Sequence, residues 1–581
     1  MDMRTRFLWL LLVVFVALPL SGETWYVRPD GGTRYSAAAH GGQCDGKADA
    51  AYHGKGTNQH CAFKDYRMLW DDQSYGGYKK WVIASGDTVI LRGGPWRVGF
   101  NQGKDAHDAW CVGSGDPYSC SNPAIPAGTA AQHTRILGEN YESCSNGTVT
   151  NRSKLTQIFG GFAVGTAFNL TDTQYVDVAC IEITRHSQCV RSGVPPYPSG
   201  CSSSFPLDDF DTDGIATNNK TANVTMTDLW IHGHTSRGII GPIGGPVTCL
   251  RCTISYNGMA GWDFDDGRST PYGPGAAWNF LYSIIEWNGC NQEYPITHAN
   301  PAISCYGQSD GGYGDGVGTP AGTGTGMSVT VDHSIFRYNT QDGLDLLHVD
   351  AGNNTLNITN SFAQGNNGSS FKWGQNFRTV TFANNIVLDN CTRMSAPIDG
   401  TPATFNQHLN DFCRAYDGIA FNLLQNSTVQ FVNNTIVNYA PATFDIDCSD
   451  PTSCSKSTLV FRNNIVYGID NPKTYPLGGK PGGPGSFFFE KPIGNVVRSN
   501  NILHGLRDVR CITLSHTEHC DDPKFIGEHP FTKEQDLDNF NFHLAPGSPA
   551  IHSGANIPEL HTDYDGKPRP SGNYSLGALE N

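Results

Sequence analysis

The chain is expected to fold as an all-β, right-handed parallel β-helix: a solenoid with an N-terminal cap region and disulfide-stapled loop insertions. Three observations predict this. From about Arg135 onward, short alternating strands recur between Asn- and Gly-rich turns, and almost nothing reads as a long amphipathic helix. Four strands end in paired asparagines, in VTFANNIVLDN, VQFVNNTIVNY, LVFRNNIVYG and VVRSNNILHG. Finally, the stretches 315–319, 342–346 and 369–373 repeat one pattern at intervals of 27 residues. Coils too short to bury a core alone bury one by stacking.

The first element is a secretory leader. Arg4 and Arg6 precede an apolar run over 7–20, followed by Ser21 and Gly22. The run is short for a membrane span, and no other long apolar segment follows. Residues 1–22 are therefore read as a signal peptide, with a mature, secreted chain starting near Glu23. No cysteine sits at the cleavage region, so no lipid anchor is expected. Residues 23–134 form an N-terminal strand and cap region, with strands in TWYVRPDGG and GDTVILRGGPWR. Residues 135–510 make the parallel β-helix. The closing segment, 511–581, resembles the end segments of secreted parallel β-helix proteins in FNFHLAPGSPAIHSGANIP and TDYDGKPRPSGNYSLGALE.

Eighteen cysteines, an even number, agree with an oxidising compartment. Many are near neighbours in sequence: Cys44/Cys61, Cys111/Cys120, Cys189/Cys201, Cys290/Cys305, Cys391/Cys413, Cys448/Cys454 and Cys511/Cys520. Pairs of this kind would staple loops. Cys249 and Cys252 form a C-x-x-C without a second such pair nearby, which reads as a structural disulfide rather than a zinc or redox site. The N-x-[ST] sequences read as ladder and turn asparagines rather than as glycosylation sites.

A formal net charge of -15 argues against nucleic acid and anionic membrane as partners. It also disfavours a polyanionic substrate unless a cation mediates. A monomer is expected.

In the 27-residue repeat, the third and fifth residues are mostly apolar and point inward, which turns the fourth outward. With 213–217, 260–264 and 417–421 added as further members, the outward column reads Ala216, Asp263, Gly318, Asp345, Lys372, Ala420. The turn column reads Asp213, Ala260, Asp315, Asp342, Ser369, Asp417. Adjacent strands lie about 4.8 Å apart, so Asp315 is expected beside Asp342, and Asp345 beside Lys372. Three carboxylates that close repel unless a positive charge sits among them. Calcium, with six to eight oxygen ligands, suits the set Asp315, Asp342 and Asp345, with Asp263 or Asp265 completing the shell.

Lys372 is isolated, since the neighbouring lysines in sequence are Lys220 and Lys456. A nearby cation and partial desolvation by Trp373 lower its proton affinity, while carboxylates raise it. A lysine base can take the acidic C5 proton of a uronate, and elimination at C4 then breaks the glycosidic bond without water. Arg337, Arg378 and Arg393 are candidate ligands for a substrate carboxylate.

NTQDGLDLLHV followed by GNNGSSFKWG resembles the D-D-G-x-D and G-x-x-F-K-x-G elements of the family 9 polysaccharide lyases. These are parallel β-helix pectate lyases that use calcium and a lysine base. The resemblance, over about 314–374, implies Lys372 as the base, Asp315, Asp342 and Asp345 as calcium ligands, and an acidic, pectate-like polysaccharide as substrate. Gln341 departs from the pattern, which has another aspartate there.

Two other readings stay open. Parallel β-helix glycoside hydrolases use paired aspartates, and FDTDGI, WIHGHTSRG and WDFDDG offer Asp211, Asp213, His232, His234, Asp263, Asp265 and Asp266. Here, however, the Asp-Asp pair follows the histidines, and no R-I-K element appears. A non-catalytic glycan-binding protein would use aromatics such as Trp262, Trp278, Trp287 and Trp373, although Trp262 and Trp373 are predicted to face inward.

Overall fold

The computed structural model describes residues 22–37, 41–70, 80–99, 121–144, 152–161, 164–187, 211–264, 275–299, 301–305, 314–318, 326–347, 353–374, 377–389, 417–438, 442–448, 451–468, 493–506, 509–511, 514–527 and 540–581. All but Gly22 of the expected signal peptide 1–22, and the cysteine pairs Cys111/Cys120, Cys189/Cys201 and Cys391/Cys413, lie outside these residues.

Strands stack into three long parallel sheets of 13, 12 and 9 strands among the described residues. Each coil visits the sheets in turn: Ser328–Asp332 lies in the first, Ile335–Arg337 in the second and Leu344–Leu346 in the third. Asn354–Thr359 then returns to the first sheet beside Ser328–Asp332. This is the right-handed parallel β-helix that the sequence predicts. Its first sheet reaches back to Thr24–Gly32 and Thr88–Leu91, so 23–134 contributes strands to the solenoid. Among the described residues, no helix is long and apolar enough to cross a membrane.

The core is one continuous column, running from Trp25, Tyr66 and Trp70 through Trp262, Phe280, Phe336 and Phe371 to Phe461 and Leu503. It forms because alternate residues of every strand point inward, as in the buried Val329 and Val331 of Ser328–Asp332. Neighbouring coils then stack like side chains, for example Trp373 on Phe421 with ring centroids 4.7 Å apart.

The paired asparagines divide their work at the two-residue corner between the first and second sheets. The first of each pair, Asn384, Asn433, Asn463 or Asn500, adopts φ between 54° and 59°, a conformation that asparagine tolerates better than most residues. The second points inward and builds an amide ladder. Asn385 Nδ2 donates to Asn434 Oδ1 at 3.1 Å, Asn434 to Asn464 at 2.9 Å and Asn464 to Asn501 at 3.2 Å. Ser283, Ser334 and Ser361 continue the column upstream with hydroxyl acceptors for backbone N–H groups. Asn433 belongs to an N-x-[ST] sequence and is fully buried, in keeping with its reading as a corner residue.

The closing segment runs back along the side of the solenoid. Phe525, Phe542, Leu544, Ala550, Leu576 and Ala578 pack on Ile386, Leu388, Val437, Ile465 and Ile502, which lie on the outer face of the second sheet. The corner asparagines hold this strap: Asn384 Nδ2 donates to Thr562 O at 2.7 Å, Asn433 to Ser575 O at 3.0 Å, Asn463 to Ala555 O at 2.7 Å and Asn500 to Ser553 O at 2.9 Å.

Disulfides join Cys44–Cys61, Cys290–Cys305, Cys448–Cys454, Cys511–Cys520 and Cys249–Cys252, as expected. Cys144–Cys180 is an additional pair, 36 residues apart in sequence. The fold rather than sequence proximity brings it together.

Candidate functional site

The register at the third sheet is the one that the 27-residue repeat predicts. Val317 pairs with Leu344, and Leu344, Asp345 and Leu346 pair with Phe371, Lys372 and Trp373. Inside the adjoining corner, a second amide ladder runs from Asn257 through Asn288 and Asn339 to Asn366, each Nδ2 donating to the next Oδ1 at 2.9 Å. This ladder explains the glycine that follows the turn residue. A Cβ at Gly316 or Gly343 would lie 2.8 or 2.9 Å from the ladder amide of Asn339 or Asn366, and neither glycine has a positive φ. The glycine is there for close approach of successive coils, not for turn conformation.

The ladder fixes the column above it. Asp315 Oδ1 accepts the N–H of Asp342 at 3.0 Å, and Asp342 Oδ1 accepts the N–H of Ser369 at 2.6 Å. Asp345 Oδ1 accepts the N–H of Leu347 at 2.8 Å. Each carboxylate is thus anchored through one oxygen, and the three approach one another, with candidate ligand atoms all within 4.8 Å. Gly368 leaves room for this: a Cβ there would collide with Asp342 Oδ1. At Gly374, a Cβ would collide with the Leu347 carbonyl.

Lys372 closes the cluster. Its Nζ donates to Asp345 Oδ2 at 2.9 Å and to Asp342 Oδ2 at 3.1 Å. Burial pushes the ammonium down, but Asp342 and Asp345 outweigh it and hold Lys372 above the ordinary lysine range. Burial lifts Asp342 to about 6, against the pull of Lys372. Burial, then the charges of Asp342 and Asp345, raise Asp315 well above the usual carboxylate range. Three buried, pre-anchored carboxylates are hard oxygen donors of the kind calcium takes, so the donor set fits that ion. Among the described residues, the other group with metal-capable side chains contains the Cys144–Cys180 disulfide.

No protein-family model matches the chain, and no curated protein matches it. Among solved structures, the pectate lyase Pel9A matches at 12% identity and a TM-score of 0.42, covering 97% of each chain. A rhamnogalacturonan lyase matches at 13% identity and 0.35, covering 90% of this chain and 97% of its own. An alginate lyase from Paenibacillus sp. str. FPU-7 matches at 12% and 0.29, covering 72% and 92%. At these scores the similarities carry no weight for chemistry, and the site stands on its own geometry.

The remaining predicted residues are placed elsewhere. Asp263 is not brought into the triad: its Oδ2 accepts from Arg237 Nε at 2.7 Å, and the Gly318 coil separates it from Asp345. Arg237 opens a coil that the sequence pattern passed over, in which Ile239 and Ile240 pair with Ile215 and Ala216 on one side and with Trp262 and Asp263 on the other. The outward column is therefore Ala216, Ile240, Asp263, Gly318, Asp345, Lys372, Ala420. Arg337 lies on the second sheet, its Nε bonded to Glu286 at 2.7 Å. Arg393, Asp265 and Asp266 lie outside the described residues.

The other candidate groups are buried. Asp211 and His234 have no exposure and bond to each other at 2.9 Å, while His232 bonds to Glu182 at 2.9 Å and Gln292 at 2.7 Å. Asp213 Oδ1 accepts the N–H of Arg237 at 3.1 Å, the same link between coils that Asp315 makes to Asp342. Trp262, Trp278, Trp287 and Trp373 are all buried, so none offers a face to a sugar.

Proposed function

We propose that the chain is a secreted, calcium-dependent polysaccharide lyase that cleaves a pectate-like polyuronate by β-elimination, with Lys372 as the base. The observation that carries this is the placement of a lone lysine amine within hydrogen-bonding distance of two members of a buried carboxylate triad. The disulfides agree with export.

Asp315, Asp342 and Asp345 would hold the ion, which when bound offsets the charge of the substrate carboxylate and the carboxylates that otherwise keep Lys372 protonated. Lys372 takes the C5 proton. The released electron pair forms the C4–C5 double bond, and the C4–O bond breaks with its electron pair leaving on the glycosidic oxygen, which takes a proton from solvent. Asp342 and Asp345 hold the amine in place, and their own backbone anchors hold them. The net charge of -15 works against a polyanion, and the cation site is where that opposition is relieved.

The test is ultraviolet absorbance of the unsaturated product on polygalacturonate, alginate and other polyuronates, with calcium and with a chelator. Lys372→Ala should lower kcat by about 10²–10⁴, the usual contribution of a positioned general base. Chelator-insensitive activity, or activity that survives in the variant, rules the proposal out.

A further inference from the structure

At the corner between the first and second sheets, one residue per coil takes a left-handed conformation, and its N–H bonds a strand end in the next coil. Arg251 donates in this way to Leu281 O, Tyr282 to Asp332 O and His333 to Thr359 O. In five successive coils the corner residue is asparagine, Asn360, Asn384, Asn433, Asn463 and Asn500, at φ between 49° and 59°. At Tyr282 and His333 ringed side chains carry the same conformation, at φ 53° and 47°. Bulky residues take it at a cost, and a backbone outlier that persists points to function.

Elsewhere packing offsets that cost. Tyr256, Trp287 and Tyr338 adopt the conformation at the corner between the second and third sheets, where they are buried with the Cys290–Cys305 hairpin. Tyr282 is 53% exposed instead. Its ring stacks on His333 with centroids 4.6 Å apart and planes 17° from parallel. His333 Nδ1 bonds Asp332 Oδ2 at 2.8 Å, and Asp332 Oδ1 accepts from Asn360 Nδ2 at 2.9 Å. Ile284 and Ile335, which pair in the second sheet two residues beyond the rings, are also partly exposed. The rings thus form an apolar platform with a polar rim. Downstream, the strap covers this same corner from Asn384 onward, and upstream Arg251 is bonded to Asp228 at 2.7 Å. The rings occupy two coils, about 10 Å along the axis. A stable protein interface buries roughly 800 Å² on each partner, more than two rings supply. A pyranose, with C–H faces and a rim of hydroxyls, matches the platform in size and in its mixed character.

We propose that Tyr282 is the stacking platform for a pyranose unit of a polysaccharide chain, at a binding site separate from Lys372. Lys372 lies on the third sheet and Arg378 in a bulge at the start of Phe377–Ala383, whereas this corner follows the ends of the first-sheet strands. The platform holds polymer and takes no part in bond cleavage, so it stands whether or not Lys372 acts as a base.

The test is retardation in native gels cast with polygalacturonate or with a neutral galactan. The parent is the Lys372→Ala protein with chelator present, so that neither cleavage nor the cation site contributes. The dissociation constant from a series of glycan concentrations should rise about tenfold in Tyr282→Asn, as expected for one lost aromatic contact, and stay unchanged in Tyr282→Phe. Retardation by the acidic gel alone identifies a polyuronate as the ligand, and retardation by the galactan identifies a neutral chain; either supports the site. The thermal midpoint of Tyr282→Asn should hold or rise, because asparagine adopts this conformation in the coils downstream. Retardation of Tyr282→Asn equal to the parent, or none of the parent in either gel, overturns the proposal. A fall in the midpoint of Tyr282→Asn overturns it too, by making the ring a structural prop. So does a dimer in sedimentation that Tyr282→Asn abolishes, which assigns the rings to a second copy.

Discussion

At Asp342 four influences meet: burial, the Lys372 ammonium, the charge of Asp345 and the backbone N–H of Ser369. Burial dominates and lifts the carboxyl to about 6, and Asp315 is raised as well. Both groups hold a proton more tightly folded than unfolded, so the stability they lend is complete below about pH 4. The share of Asp342 is lost as pH rises through about 6, and that of Asp315 is lost above the ordinary carboxylate range. Lys372, raised in its turn, stays protonated across that window and adds no slope. Cation binding requires the carboxylates to release their protons. Calcium should therefore raise the thermal midpoint of chelator-treated protein more at neutral pH than near pH 4.5, and Asp342→Asn should remove most of that difference. Equal calcium shifts at both pH values would place the ion elsewhere. The triad and Lys372 were legible in the sequence because a fixed coil length and a period of two set both register and facing. The partner of Asp263 was not, because its coil begins with Arg237 where its neighbours carry aspartate or a small residue, and coil lengths there vary.

Among the elements, the two amide ladders add side-chain links between successive coils to the backbone pairing of the sheets. Asn434 alone bonds Phe382 O and Asn464 Oδ1 through its Nδ2, and accepts from the backbone and side chain of Asn385. Asn434→Ala should orphan buried groups at roughly 1–3 kcal/mol each. Asn357→Ala, on the outer face of the first sheet, should be nearly silent. Denaturant titration of the two variants compares them directly. The paired asparagines announced a ladder in the sequence, but not that the first of each pair would turn the corner and grip the strap. That division depends on which amide faces the core, and adjacent identical residues do not reveal it. The ladder at Asn257, Asn288, Asn339 and Asn366 was harder to see, because its single asparagines lie among insertions of different length.

For the whole molecule, an acidic surface, three parallel sheets and a buried core column describe a rod built by addition. In such a rod each coil normally contacts only its neighbours, so stability sums from local terms and opening can start anywhere. The strap changes that arithmetic over part of the length. Thr562, Ser575, Ala555 and Ser553 accept from four different coils, at Asn384, Asn433, Asn463 and Asn500. Arg569 reaches Asn384 from the same segment. A coil inside the strapped region cannot open without loosening a segment that its second and third neighbours share. Hydrogen exchange should accordingly find the coils from Ile386 to His504 opening as a single cooperative block, with matched protection in core amides. The coils between Thr134 and Arg337 should instead show protection graded coil by coil, and graded protection throughout would mean that the strap couples nothing. The corner asparagines thus turn one flank of a repeat protein into a unit that behaves like a globular domain, while the rest keeps the independence of its repeats.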